Sequence, residues 1–199
     1  TVGRGVVKIL QENAEQITKR TGSRLIVKHA VVHNLTKERT GFVKNFPITN
    51  QATDILDNPD IQIVVEVMGT LDQAYDIIKR SLNAKKHVVT ANKDLIASRG
   101  QELVAIAEAN GVDLFFEAAV AGGVPILRTL STSFTADEIS RVAGIINGTS
   151  NFILTQMASN NLSYADALKL AQDKGFAESD PTNDVEGFDA ASVSYTHLT

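Results

Sequence analysis

Ile61-Gln-Ile-Val-Val-Glu-Val-Met68 is followed by Gly69-Thr70 and then by Leu71, Ala74, Tyr75, Ile78 and Leu82. A near-continuous apolar run of that length reads as a strand buried on both faces, as in a parallel sheet. The apolar residues after it recur at the spacing of one helix face. His87 to Thr90 then reads as a short strand, Asp94 to Asn110 as a helix closed by Gly111, and Val112 to Val120 as another apolar strand. Strands alternating with helices imply crossover connections, hence an α/β fold with a parallel sheet. Ligands of such sheets bind at the carboxyl ends of the strands. Those ends are Met68-Gly69-Thr70, Thr90-Ala-Asn-Lys93 and Glu117-Ala-Ala-Val120. A binding edge is expected there.

Upstream, Thr1-Val-Gly-Arg-Gly5 leads into Val6, Val7, Ile9, Leu10, Ala14 and Ile17, a helical pattern that stops at Gly22. Arg24 to Val32 is β-rich and predicts a strand. Leu35 to Pro47 has no clear period and reads as a connection. A short helix around Asp54 to Leu56 ends before Asn58-Pro59.

The rhythm changes after Val120. Ala121-Gly-Gly-Val-Pro125 is a loop, with Pro125 suited to the first turn of a short helix through Leu130. Arg141 to Asn147 reads as a strand, and Gly148-Thr-Ser150 as the cap of a helix reaching about Ser159. Ser163-Tyr-Ala-Asp166 has capping-box spacing and opens a helix that ends at Gly175. The boundary falls near Glu117 to Gly123, giving a first domain of residues 1–120 and a partial second domain of 121–191.

The totals narrow the function classes. The 199 residues carry a net charge of −4 with 43% hydrophobic and 21% charged residues, those of an ordinary globular protein. Without a Lys/Arg block there is no footprint for nucleic acid. No apolar run reaches membrane-spanning length. Cysteine is absent, which excludes disulfides, thiolate ligands and a catalytic thiol, and fits a reducing cytoplasm. The chain opens at Thr1 rather than Met, so its beginning is expected to lie upstream.

Chemistry concentrates in Gly175-Phe-Ala-Glu-Ser-Asp-Pro-Thr-Asn-Asp-Val-Glu-Gly-Phe-Asp189, which holds Glu178, Asp180, Asp184, Glu186 and Asp189. Clustered carboxylates repel, so a shaped loop that gathers them points to a cation, an amino-bearing substrate or proton chemistry. The plainer alternative is an exposed acidic linker, against which stand the Phe176 and Phe188 anchors and the glycine frame. The calcium-loop pattern does not fit, which weakens a divalent-cation reading. Thr1-Val-Gly3 at a helix start matches the tail of a G-x-G-x-x-G fingerprint, where helix N–H groups hold a pyrophosphate. That signal alone is weak. The acid expected on a ribose is missing, and His33-Asn34 with Lys37 and Arg39 leans slightly towards NADP over NAD. Lys93 sits at a helix start against the dipole, a cost unless a ligand uses it, although a surface lysine is the commoner outcome. Glu117 precedes Val120-Ala-Gly-Gly, whose carbonyls could ring a hard cation; the alternative is a glutamate capping backbone donors. The four histidines lack metal spacing and read as structural.

Taken together, Thr-Val-Gly-Arg-Gly (1–5), Val-Val-Thr-Ala-Asn-Lys (88–93), Glu-Ala-Ala-Val-Ala-Gly-Gly-Val-Pro-Ile (117–126), Gly-Ile-Ile-Asn-Gly-Thr-Ser-Asn-Phe-Ile-Leu (144–154) and residues 175–191 resemble the homoserine dehydrogenase family. The resemblance implies a Rossmann-like doubly wound parallel sheet, its first strand upstream of Thr1, followed by part of an α+β substrate-binding and dimerisation domain. It implies interconversion of L-aspartate 4-semialdehyde and L-homoserine with NADP or NAD, in the route to threonine, methionine and isoleucine, by a homodimer with Arg141 to Asn147 as candidate interface strand. By the same resemblance Lys93, Asp189 and Glu178 are catalytic, and Glu178, Asp184, Asp189 and Gly175 hold the amino acid. Thr1, Val2, Gly3, Thr70 and Lys93 contact the cofactor, and Asp184 pairs with Lys93. Glu117 with Val120, Gly122 and Val124 forms a monovalent-cation site for an ion such as sodium.

One position departs from the pattern. The family carries a lysine, its proposed proton donor, four residues after the aspartate matching Asp189; here Val193 stands there. Residues 192–199 read as a foreign tail, and the chain as written is expected to be inactive or nearly so. The competing reading is a non-catalytic nucleotide- or amino-acid-binding module on the same fold.

Overall fold

A computed structural model describes residues 2–44, 46–178 and 180–191. Thr1 and Val193, both singled out above, lie outside the described residues, as does the whole of 192–199. The chain divides into two compact units, Thr1–Thr90 with Glu102–Phe115, and Ala91–Gln101 with Phe116–Thr199.

In the first unit the helical pattern at the start is realised as two helices, α1 (Val2–Glu12) and α2 (Ala14–Thr21), rather than one. Asn13, at φ −105° and ψ 17°, kinks the backbone between them, and Gly22 closes α2 at φ 73°. Of the strand predicted over Arg24 to Val32 only β1 (Ala30–Val31) is paired, because a ladder needs a neighbour and β2 (Ile48–Thr49) matches just these residues. β2, parallel to β1, lies beyond the stretch read as a connection. The short helix α3 (Thr53–Leu56) stands as expected.

The central sheet is parallel, in the order β3 (Ile63–Glu66), β4 (His87–Thr90), β5 (Leu114–Phe115). α4 (Asp72–Asn83) makes the crossover from β3 to β4 and packs on both, burying Ala74, Ile78 and Leu82 completely. α5 (Lys93–Asn110) connects β4 to β5. These crossovers make the fold α/β, as the alternating pattern required. β3 is less enclosed than its composition predicts: Val64 and Glu66 are buried, but Ile63 and Val65 are 45% and 41% exposed. Only one of its faces is fully covered. β5 is shorter than Val112 to Val120, because Phe116 leaves the extended region (φ −136°, ψ 23°) and Glu117–Ala119 winds into a single 3-10 turn.

In the second unit α6 (Ile126–Arg128) runs into a wider turn over Thr129–Ser133. α7 (Gly148–Asn160) and α8 (Tyr164–Asp173) pack around Ile153, Ala167, Ala171 and Ala177. The Ser163 hydroxyl accepts the Asp166 N–H at 3.2 Å, the predicted cap of α8. α7 is capped by Asn147 rather than by Gly148-Thr-Ser150, since the Asn147 side chain accepts the Ser150 N–H at 2.7 Å. A short α9 (Thr182–Val185) lies in the acidic loop. Arg141 to Asn147 forms no strand: among the described residues nothing pairs with it, and Val142 and Ile145 stay 57% and 71% exposed.

Candidate functional site

The binding edge predicted for the first unit is organised by a residue the sequence reading passed over. Glu66 ends β3, directly across the register from Thr90 at the end of β4. Its side chain is buried, with one carboxylate oxygen accepting the Met68 N–H and the other the Thr90 hydroxyl, both at 2.6 Å. A buried carboxylate is tolerated only when so paired. The signal was a single acid inside an otherwise apolar strand. Beyond Met68 the chain turns at Gly69, φ 75°, a left-handed conformation that favours glycine, and Thr70 is exposed.

α1 begins beside this edge. A Cβ on Gly3 would stand 3.5 Å from Val67 Cγ2, so the helix start approaches the end of β3 closely. Val2 is 60% exposed, and the first N–H groups of α1 have no partner within the helix. Of the cofactor residues predicted in this unit, Val2, Gly3 and Thr70 therefore lie at the α1 start and the strand-end turn. Backbone donors, a helix dipole and a glycine turn suit the pyrophosphate of a dinucleotide. After β1, Asn34 Oδ1 accepts the N–H groups of Thr36 and Lys37 at 2.8 and 3.0 Å. Arg39 turns its guanidinium onto the carbonyls of Asn34 and Lys37 at 2.7 and 2.8 Å, so part of its donor fork serves the loop itself.

In the second unit Lys93 opens α5 with Nζ 2.6 Å from Asp189 Oδ1; the side chains are 32% and 28% exposed. Asn92 Oδ1 accepts the Leu95 N–H at 3.2 Å and so caps the same helix start. The ammonium opposes the α5 dipole, and the Asp189 charge offsets it. Asp189 follows Gly187, whose φ of 81° turns the chain out of α9. Asp184 does not pair with Lys93. It accepts the Asn147 Nδ2–H at 2.8 Å, and its carbonyl accepts the Ser150 hydroxyl at 3.0 Å.

The rest of the acidic loop is held by its backbone. Thr149 donates its hydroxyl to the Phe176 carbonyl at 2.6 Å, and Gln172 donates to the Glu178 carbonyl at 3.2 Å. That leaves the exposed Glu178 carboxylate outwards. Gly175, at φ 74°, leads out of α8 and borders an open groove of about 580 Å³ with Gly148, Thr149, Phe152 and Phe176. The Phe152 and Phe176 rings stand 4.8 Å apart in a tilted pair. Asp180 takes the Thr182 hydroxyl at 2.6 Å and its N–H at 3.2 Å; these bonds, the hydroxyl first, hold its carboxyl below the usual range. Among the described residues no three His, Asp or Glu side chains are grouped so as to hold a metal ion.

Glu117 uses both carboxylate oxygens on the start of α6, accepting the Leu127 and Arg128 N–H groups at 3.1 and 2.9 Å. This is the capping geometry weighed against the cation reading. The Val124 carbonyl accepts the Ile126 N–H at 2.8 Å, and Val120 is fully buried while Gly122 is exposed. A carboxylate has about four lone-pair positions, so two backbone bonds leave room for a further partner.

Residues 1–117 match the family profile for the homoserine dehydrogenase NAD-binding domain, and residues 125–195 match the homoserine dehydrogenase profile. The homoserine dehydrogenase of Bacillus subtilis is 48% identical over 191 residues, which cover 96% of this chain and 44% of that protein. A crystal structure of a homoserine dehydrogenase from Thiobacillus denitrificans superposes with a TM-score of 0.87 at 47% identity, covering 96% of this chain and 44% of that one. A hyperthermophilic archaeal homoserine dehydrogenase in complex with NADPH reaches a TM-score of 0.70 at 27% identity, over 93% of this chain and 53% of its own. The chain thus spans less than half the length of its bacterial relatives. Its parallel α/β sheet, its matched profiles and its relatives place this chain in the homoserine dehydrogenase family, with a Rossmann-like NAD-binding domain at its start.

Proposed function

We propose that this chain carries the hydride-transfer site of an NAD(P)-dependent homoserine dehydrogenase, which interconverts L-aspartate 4-semialdehyde and L-homoserine. The observation that supports it most directly is the 2.6 Å contact between Lys93 and Asp189. A lysine held at a helix start by a partly exposed acid is placed to serve a small polar substrate. When bound, the nicotinamide cofactor supplies or accepts the hydride. Lys93 polarises the aldehyde oxygen and stabilises the alkoxide charge that develops there. Asp189 orients the Lys93 ammonium, while Glu178, Asp184 and Gly175 receive the ammonium end of the amino acid.

Finer assignments extend this reading. Val2, Gly3 and Thr70 hold the cofactor, with Thr1 and Lys93 added by resemblance. NADP is favoured slightly over NAD because His33-Asn34 stand where the ribose acid is expected, with Lys37 and Arg39 nearby; a hyperthermophilic archaeal relative binds NADPH. Glu117, Val120, Gly122 and Val124 bind a monovalent cation such as sodium. A boundary near Glu117 to Gly123 separates the cofactor domain from a second domain through which a cytoplasmic homodimer forms. The exposed apolar residues Val142, Ile145 and Ile146 support that interface.

Val193 favours a second reading, a binding module without turnover, because an apolar side chain cannot pass a proton. Homoserine oxidation by the 199-residue chain and by V193K separates the two. The enzyme reading expects near-zero turnover from the first and a gain of about 10²-fold or more from the second. Saturable NADPH and homoserine binding with no turnover in either chain would favour the module.

A further inference from the structure

Asn147 touches two elements with the two ends of one amide. Its Oδ1 accepts the Ser150 N–H at 2.7 Å and caps α7, while its Nδ2 donates to Asp184 Oδ1 at 2.8 Å. A primary amide carries its acceptor and its donors on two separate atoms, so one side chain can serve two partners at once. The backbone at Asn147 is extended (φ −138°, ψ 121°), as an N-cap requires, so the side chain's position is fixed by the helix it begins. Two further hydroxyls of the same helix start reach the acidic loop. Ser150 Oγ donates to the Asp184 carbonyl at 3.0 Å and Thr149 Oγ1 to the Phe176 carbonyl at 2.6 Å. The start of α7 is therefore a fixed rail against which the loop is registered, and among the described residues Asn147 is the side chain of that start that reaches a carboxylate of the loop.

We propose that Asn147 is a positioning residue: it presents Asp184 to the ammonium group of the amino acid substrate. One Asp184 oxygen is occupied by the amide, which orients the carboxylate plane and leaves the second oxygen for the ligand. The inference rests on the reading of Asp184 as a substrate residue, and it adds that the carboxylate works only when aimed from α7. It also explains why the N-cap is an asparagine. Serine and aspartate cap a helix as well, but serine is too short to reach Asp184 and aspartate would repel it.

That difference supplies the test. In the 199-residue chain, N147S keeps a cap of equal rank and loses the bond to Asp184, whereas N147D keeps the cap and sets two carboxylates face to face. Thermal melts are expected to leave N147S close to wild type. Calorimetric titration with L-homoserine in the presence of NADPH is expected to show about tenfold weaker binding, the loss of one bond to a charged group. The reciprocal pair N147D/D184N rebuilds the bond with the charge moved by one partner. It should recover the melting temperature that N147D alone loses and should not recover homoserine affinity. Unchanged homoserine affinity in N147S, or full recovery of affinity in the reciprocal pair, overturns the proposal. A wild-type chain that binds NADPH but no homoserine removes the functional reading and the positioning role together, a result distinct from either.

Discussion

Lys93 Nζ lies 2.6 Å from Asp189 Oδ1, joining the first residue of a long helix to the end of the acidic loop nearly a hundred positions later. Both side chains remain about a third exposed, and ion pairs that water reaches contribute roughly 1 kcal/mol or less. D189N is therefore expected to shift the unfolding midpoint little. In a V193K background its turnover should fall about 10²-fold or more, as should that of K93M, because K93M removes the ammonium that stabilises the developing alkoxide and D189N the charge that orients it. Steady-state kinetics beside urea melts check this; a stability loss that accounts for the whole activity loss would return the pair to a structural role.

Glu66 carries the opposite expectation. Its carboxylate is sealed at the strand ends and makes two 2.6 Å bonds, to the Met68 N–H and the Thr90 hydroxyl. E66A strands two buried donors and should cost about 2 kcal/mol or more. E66Q, which keeps the shape, should cost less. Chemical denaturation reads both, and an E66A chain as stable as wild type would show that water replaces the carboxylate without loss.

Glu117 divides a cap from a cation site. With two lone-pair positions left after binding Leu127 and Arg128, sodium is expected to raise the melting temperature of wild type and not that of E117A, with choline chloride holding ionic strength constant. Equal responses of the two chains to sodium would leave Glu117 as a cap alone.

Asp180 gives a pH dependence with a definite sign. Its folded pKa lies below the ordinary value because the Thr182 hydroxyl and N–H both donate to the charged form. A depressed acid stabilises the fold above its unfolded pKa, and that contribution is lost as pH falls through the folded pKa. T182V removes the hydroxyl, the larger cause, so the Asp180 titration should move upward. Carboxyl chemical shifts followed against pH report it, and an unmoved midpoint would refute the assigned cause.

Local signals in the chain were enough for the parallel α/β class. A strand such as His87–Thr90 and a crossover such as Asp72–Asn83 carry their own period, and Ser163 and Gly22 carry their own end signals. The family motifs likewise singled out Lys93, Asp184 and Asp189 without coordinates. What the chain alone could not decide was pairing. The strand expected at Arg24 to Val32 shrank to two residues, and that at Arg141 to Asn147 did not form, because a ladder exists only where a neighbour supplies the other half. Which acid meets Lys93 was settled the same way. Asp184 and Asp189 are five residues apart and chemically alike, but α9 and the Gly187 turn send one to Asn147 and the other to the lysine. The pairings of Glu66 with Thr90 and of Asn147 with Asp184 were silent in one dimension for the same reason, since a hydrogen bond between residues far apart in the chain leaves no spacing to read.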